Sequence, residues 1–159
     1  MTRVLEADPR TRLRIIREAG SVALVGVSGN VLRSSNFVAA YLVRTHFRVY
    51  PVNPMYDEIL GLKCYPSLAD LPEVPDIVDV FRRHSAIPGV VDEAIAVGAK
   101  VVWFQLGLRH DEAARTAIEA GLEVVQDRCL KIEHARFSGR LNLAGFDTGV
   151  ISSRRHREI

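Results

Sequence analysis

The chain has no apolar run near the roughly 18 residues that would span a bilayer, so neither a membrane-spanning helix nor a membrane partner is expected. Cysteine is scarce. The two present, Cys64 and Cys129, lie far apart and in no metal-ligand spacing. That excludes a disulfide framework or a zinc knuckle and suits a reducing compartment. Charge of one sign is lacking too: 21 basic residues face 19 acidic ones, a net +2. Residues 152–159 carry the whole excess, with Arg154, Arg155 and Arg157 against Glu158. A neutral body lacks the basic face of a nucleic-acid binder, so no nucleic-acid partner is expected. Residues 1–18 are charged throughout and have no leader-like apolar core, which makes the cytoplasm the expected location. No metal cluster, nucleophilic triad or paired carboxylates can be read, so no metal and no catalytic residue are expected.

What is there begins at residues 21–35. Val22-Ala23-Leu24-Val25 reads as a strand buried on both faces. It breaks at Gly26-Val27-Ser28-Gly29, where small residues permit a sharp turn and close approach of a ligand. Arg33 and the serines Ser34 and Ser35 follow, then Phe37, Val38, Tyr41 and Leu42 at helical spacing. Ser34 or Ser35 is expected to cap that helix. Strand, glycine turn and helix N-terminus form the arrangement that offers free N–H groups to a phosphate. The dinucleotide fingerprint G-x-G-x-x-G is absent, since Gly26, Ser28 and Val31 occupy its three positions.

The same rhythm recurs along the chain. Residues 9–19 read as a helix closing on Gly20. Further helices close near His46, Gly98 and Gly121, each running into an apolar strand. His46 is expected to take the left-handed position that glycine takes elsewhere. Four such junctions in one chain predict an α/β fold: a three-layer Rossmann-like domain with a five-stranded, mainly parallel sheet, in the order 3-2-1-4-5. At 159 residues this is one domain, expected over residues 1–137. Residues 138–159 then form a C-terminal extension packed on the body.

The strand ends carry the remaining signals. The second strand closes on Asn53-Pro54, where a NAD site would place an acidic residue. The third empties into Phe81-Arg82-Arg83-His84-Ser85. Ser85 is expected to cap the next helix, and two arginines beside a helix start suit an anion. The competing reading leaves them solvated or paired with Asp79 or Asp92. His84 has no partner that would make it a base. The fourth strand ends at Gln105-Leu106-Gly107, and the last runs into Asp127-Arg128-Cys129, with Cys129 expected to be structural. In an open parallel sheet these ends converge on one edge.

Residues 22–28, Arg33 and Ser34/Ser35, Pro51-Val52-Asn53-Pro54, Val78-Asp79-Val80-Phe81-Arg82, Trp103-Phe104-Gln105-Leu106-Gly107 and Asp127-Arg128-Cys129 occur in an order that resembles the stand-alone bacterial CoA-binding proteins. Those are similar to the CoA-binding Rossmann domain of the succinyl-CoA synthetase α subunit. The resemblance covers about residues 8–137. It implies that Gly26, Val27, Ser28, Arg33, Ser34 and Ser35 line the nucleotide phosphates and that Asn53 and Pro54 border the adenosine side. It implies further that Phe81, Arg82, Arg83, Gln105, Leu106 and Gly107 follow the pyrophosphate and pantetheine arm. Loops of the resembled family often carry proline between the glycine turn and the arginine, where this chain has Asn30-Val31-Leu32. The implied ligand is coenzyme A or an acyl-CoA. The implied role is a carrier, sensor or regulatory protein rather than an enzyme, with the protein partner open and room for a homo-oligomer. The alternative is an NAD(P)-binding Rossmann protein with a redox or redox-sensing role, against which Ser28 and Asn53 speak. A receiver-type signalling module would need acidic residues after the first strand, and Gly26-Val27-Ser28 supplies none.

Overall fold

The computed structural model describes residues 5–138. The elements are α1 (Pro9–Glu18), β1 (Ser21–Val25), α2 (Ser34–Leu42), β2 (Arg48–Val52), β3 (Glu58–Ile59), β4 (Leu62–Lys63), β5 (Ile77–Val80), α3 (Ile87–Val97), β6 (Val101–Phe104), α4 (Asp111–Glu119), β7 (Glu123–Val125) and α5 (Leu130–Ser138). The extension expected beyond α5, with its apolar Leu141, Leu143 and Phe146, lies outside the described residues.

Strand alternation builds the two halves of the core. Val22, Leu24, Ile77, Val101, Trp103 and Val125 face one side, where Ile15, Ile16, Val38, Leu42 and Leu130 from α1, α2 and α5 cover them. Ala23, Val25, Val78, Val80, Val102, Phe104 and Val124 face the other, under Ile87, Val91, Ala94, Ala114 and Ala117 from α3 and α4. β1, β5 and β6 are buried along their whole length. This is the three-layer α/β fold with five parallel strands.

Counted in chain order within this sheet, the strands stand 2-1-3-4-5, not 3-2-1-4-5, because β5 lies against β1. Pro51 gives the reason. The other order would place β2 between two neighbours, where a residue without an N–H breaks a ladder. At the edge the missing donor faces outward. The chain leaves β1 toward β2 on one side and reaches β5 on the other, so a crevice opens above the β1–β5 boundary.

Helix ends depart from expectation in places. Gly98 and Gly121 hold left-handed backbone (φ +84° and +96°) where α3 and α4 close. Gly20 and His46 do not. Gly20 instead donates its N–H to Asp76 Oδ2 at 2.7 Å. The His46 ring lies against Phe47, with Nε2 3.1 Å from the Ala19 carbonyl oxygen. α1 is capped by Asp8 and buries Arg12, whose Nε donates to Glu133 of α5 at 2.7 Å. That pair fastens the first helix to the last described one.

Candidate functional site

The turn after β1 is sterically determined. Gly26 has φ +91°, and a Cβ there would meet Arg82 Cδ at 2.7 Å and the Phe81 carbonyl oxygen at 2.8 Å. Only glycine lets the β1 and β5 ends approach so closely. Beyond it the loop is held by its own polar groups. Ser28 N–H donates to Ser35 Oγ (3.0 Å), and Asn36 Nδ2 donates to the Ser28 carbonyl (2.9 Å). Asn30 N–H donates to Ser28 Oγ (3.0 Å) and Leu32 N–H to Asn30 Oδ1 (2.9 Å). Asn30 thus supplies the local turn of an Asx motif. Neither serine caps α2: Arg33 takes that position without a side-chain bond, while Ser35 in the first turn reaches back to the loop. The cap of α3 is likewise Ala86 rather than Ser85.

Tyr56, which the sequence reading missed, braces this loop from outside. Its ring would be 2.8 Å from a Cβ at Gly29, and its hydroxyl lies 3.4 Å from Ser28 Oγ. That hydrogen bond holds the phenol below its ordinary pKa. The only advance signal was an aromatic side chain in a loop that follows a strand.

Two adjoining hollows of about 430 and 570 Å³ open above the β1–β5 boundary and share Gly26, Arg33, Phe81, Arg82 and Arg83. One lobe is lined further by Ser28, Ser34, Ser35, Val38, Gln105, Leu106, Leu108 and Cys129. The other is lined further by Asn53, Pro54, Met55, Pro66 and Glu93. Arg33, Arg82 and Arg83 are exposed at the junction. Among the described residues none of the three has a carboxylate partner; Arg83 Nε donates to Ser85 Oγ at 3.2 Å. Pairing with Asp79 does not occur. Asp79 points into the α1–α2–α5 half of the core between Leu24 and Trp103, fully buried, with neither carboxylate oxygen hydrogen-bonded. Burial pushes its pKa well above the carboxylate range. His84 stacks on His110 at 4.6 Å.

Twelve of the fourteen residues singled out in sequence therefore line the double hollow. Val27 and Gly107 do not. Val27 is 0 % exposed and belongs to the core, and its carbonyl accepts from Asn53 Nδ2 at 3.0 Å. Gly107, at φ +90°, donates its N–H to Asp127 Oδ1 at 2.7 Å. Two lining residues spend their side chains on the scaffold. Asn53 holds Val27 with its amide nitrogen and the Met55 N–H with its oxygen. Gln105 Oε1 accepts from the Leu130 N–H at 3.1 Å. Cys129, expected to be structural, is 9 % exposed, packs in the α1–α2–α5 half of the core and is among the residues lining one lobe.

A model of a family described as the CoA binding domain matches residues 20–135. The chain is 38% identical over 121 residues to the uncharacterized protein YneT of Bacillus subtilis, covering 76% of this chain and 90% of that one. It is 37% identical over 137 residues to an ADP-forming acetate–CoA ligase of Archaeoglobus fulgidus, covering 84% of this chain but only 20% of the ligase. Among solved structures, a hypothetical protein from Pyrococcus horikoshii superposes with TM-score 0.80 at 42% identity, covering 83% of this chain and 93% of that one. A dinucleotide-forming acetyl-coenzyme A synthetase from Korarchaeum cryptofilum superposes with TM-score 0.59 at 26% identity, over 66% of this chain and 25% of the synthetase. By sequence and by fold, the chain belongs to the CoA binding domain family.

Proposed function

We propose that the protein binds coenzyme A or an acyl-CoA in the double hollow, as a cytoplasmic carrier, sensor or regulatory protein rather than an enzyme. The observation that carries this reading is the convergence on the Gly26 turn of three arginines, none of which has a carboxylate partner among the described residues. CoA brings a pyrophosphate and a 3′-phosphate. One helix N-terminus contributes only about 0.3–1 kcal/mol per exposed anion, against the roughly 8 kcal/mol of a micromolar complex. Arginine forks supply the difference, at roughly 1.5–3 kcal/mol for a hydrogen bond to a charged group. The first N–H groups of α2, at Ser34 and Ser35, add donors that helix geometry leaves unpaired. In this reading Asn53 and Pro54 border the adenosine, while the Gln105 lobe takes the pantetheine arm.

The NAD(P) reading gains nothing at Asn53, whose amide is already engaged at both ends. Titration calorimetry with CoA and with NAD decides between them. CoA is expected to bind at least about ten-fold tighter, a gap of roughly 1.4 kcal/mol. Equal affinities overturn the proposal.

A further inference from the structure

We infer that residues 139–151 of this chain dock on the outward face of α2, an apolar strip that the described residues leave bare. The inference does not depend on which ligand the cleft holds.

The strip is unlike the rest of the helical surface. α1 turns Arg10, Arg14 and Arg17 to solvent, and α4 turns Glu112, Arg115 and Glu119. α2 has no charged residue from Ser34 to its C-cap at Val43. Phe37, Ala40 and Val43 follow one another three residues apart, Phe37 being 58 % exposed. The turn before the helix adds Val31 and Leu32, the latter 82 % exposed. A single exposed apolar side chain is ordinary, but a row of them along one helix marks a surface that something covers.

The path of α5 points to the cover. α2 and α5 lie side by side: the Tyr41 hydroxyl is 2.8 Å from His134 Nδ1, and the Lys131 ammonium is 5.8 Å from the centre of the Tyr41 ring. Both helices start at the carboxyl edge of the sheet, Ser35 against the Ser28 loop and Leu130 against Gln105. Both run toward the amino edge, where the His134 ring stacks at 5.8 Å on His46, just past α2. From His134 the last helix continues about one turn to Ser138. The chain therefore leaves α5 near the Val43 end of α2, and a return along that helix begins on the bare strip.

The sequence that follows fits the strip. Residues 139–151 carry Leu141, Leu143, Phe146, Val150 and Ile151, and their charges, Arg140 and Asp147, cancel. Leu141 and Leu143 flank Asn142, the alternation of an extended segment with one apolar side. Gly145 and Gly149 disfavour a helix there. The nine residues of α2 rise about 13 Å, a distance that about four extended residues span, so the segment is long enough. It lies beyond the family match, which ends at residue 135. Ser34 and Ser35, in the first turn of α2, line the ligand hollow. The segment thus holds α2 by the face turned away from the ligand.

The test is timed chymotrypsin cleavage of the full chain after Phe146, read by intact mass, beside sedimentation at the same concentrations. Wild type should be cut at least about ten-fold more slowly than Phe37→Ser, a docking preference of about 1.4 kcal/mol. Its rate should not change on dilution. Arg115→Ser, on the opposite helical layer, should be cut like wild type. Leu143→Ser leaves the body untouched and should speed the cut as Phe37→Ser does, which keeps the test valid if Phe37→Ser folds poorly. In amide NMR spectra of the full chain, Leu143→Ser should move the signals of residues 31–43 and leave those of α4 in place. Cleavage of wild type as fast as a free peptide of residues 139–151 overturns the inference. So does protection that neither Phe37→Ser nor Leu143→Ser removes, or a shift pattern centred away from α2. Protection that fades on dilution, together with a dimer in sedimentation, assigns the strip to a second copy and also overturns it.

Discussion

The two ends of the parallel sheet are built from similar side chains put to opposite uses. At the amino end, Asp76 accepts from the Gly20 N–H and sits 3.6 Å from Lys100 Nζ. Arg14 pairs with Glu18 and Glu123, and Arg48 makes two bonds to Glu73. The hollow there is only about 80 Å³. At the carboxyl end, Arg33, Arg82 and Arg83 stand around much larger hollows with no carboxylate on any of them among the described residues. Charge at one end is neutralised within the protein. At the other it is left for something that arrives. Exposed ion pairs add little stability, so the difference lies in what each end can receive.

Glycine substitution gives the sharpest contrast. Gly26→Ala places a Cβ 2.7 Å from Arg82 Cδ on a left-handed backbone. Strain and overpacking together should cost about 2–4 kcal/mol, and CoA binding should fall below calorimetric detection. Gly20→Ala, at the opposite end, meets nothing closer than Arg48 Nη2 at 3.3 Å and needs no special φ. Its urea midpoint should correspond to a change within about 1 kcal/mol. Equal damage from the two would break the comparison.

Between the ends lies Asp79, a carboxyl neither paired nor solvated. Its folded pKa is raised above the unfolded value. The proton is therefore lost first by the unfolded chain. Stability is fully present below about pH 4 and declines as pH rises toward the folded pKa, by up to about 1.4 kcal/mol per unit. Asp79→Asn abolishes that slope. Urea denaturation from pH 5 to 7 should show the difference between wild type and variant changing steadily in the variant's favour, and parallel pH profiles would contradict this.

Arg33→Ala and Arg82→Ala should each weaken CoA binding about ten- to a hundred-fold, more at low salt. Arg14→Ala, at the amino end, should leave the affinity unchanged. The smallest effect belongs to Glu73. Its bonds with Arg48 and Tyr50 hold its pKa down to about 2. That contribution is present above the unfolded value near 4.3 and is lost as pH falls toward about 2. Because the pair is exposed, Glu73→Gln should cost no more than about 1 kcal/mol at pH 7, with the gap closing in acid.

The strands and the glycine turn were legible because alternation and small residues are local signals. The order of the sheet was legible too, at Pro51, whose missing N–H demands an edge, but the reading passed over it. The caps went astray because the serines had a better use. Ser35 serves the loop rather than the helix, and no local rule weighs an N-cap against a bond seven residues back. The solitary Asp79 looked like a partner for arginine in sequence, yet strand alternation turns it to the opposite purpose, inward beside Trp103. Gln105 and Leu130 are 25 residues apart in the chain and meet only because α5 starts beside the end of β6.

The edge occupied by β2 bears on how the molecule can meet its own kind. Pro51 has no donor to offer, its carbonyl accepts from the Tyr65 N–H at 3.0 Å, and the Asn53 N–H donates to the Tyr65 carbonyl at 2.9 Å. Tyr65 thus occupies the outward-facing positions at the end of β2 as a single-residue parallel bridge. The opposite edge, β7, is only three residues long and opens with a charged Glu123. Neither margin is a template for another strand. Among the described residues, growth into a continuous intermolecular sheet by strand addition is therefore disfavoured at both edges.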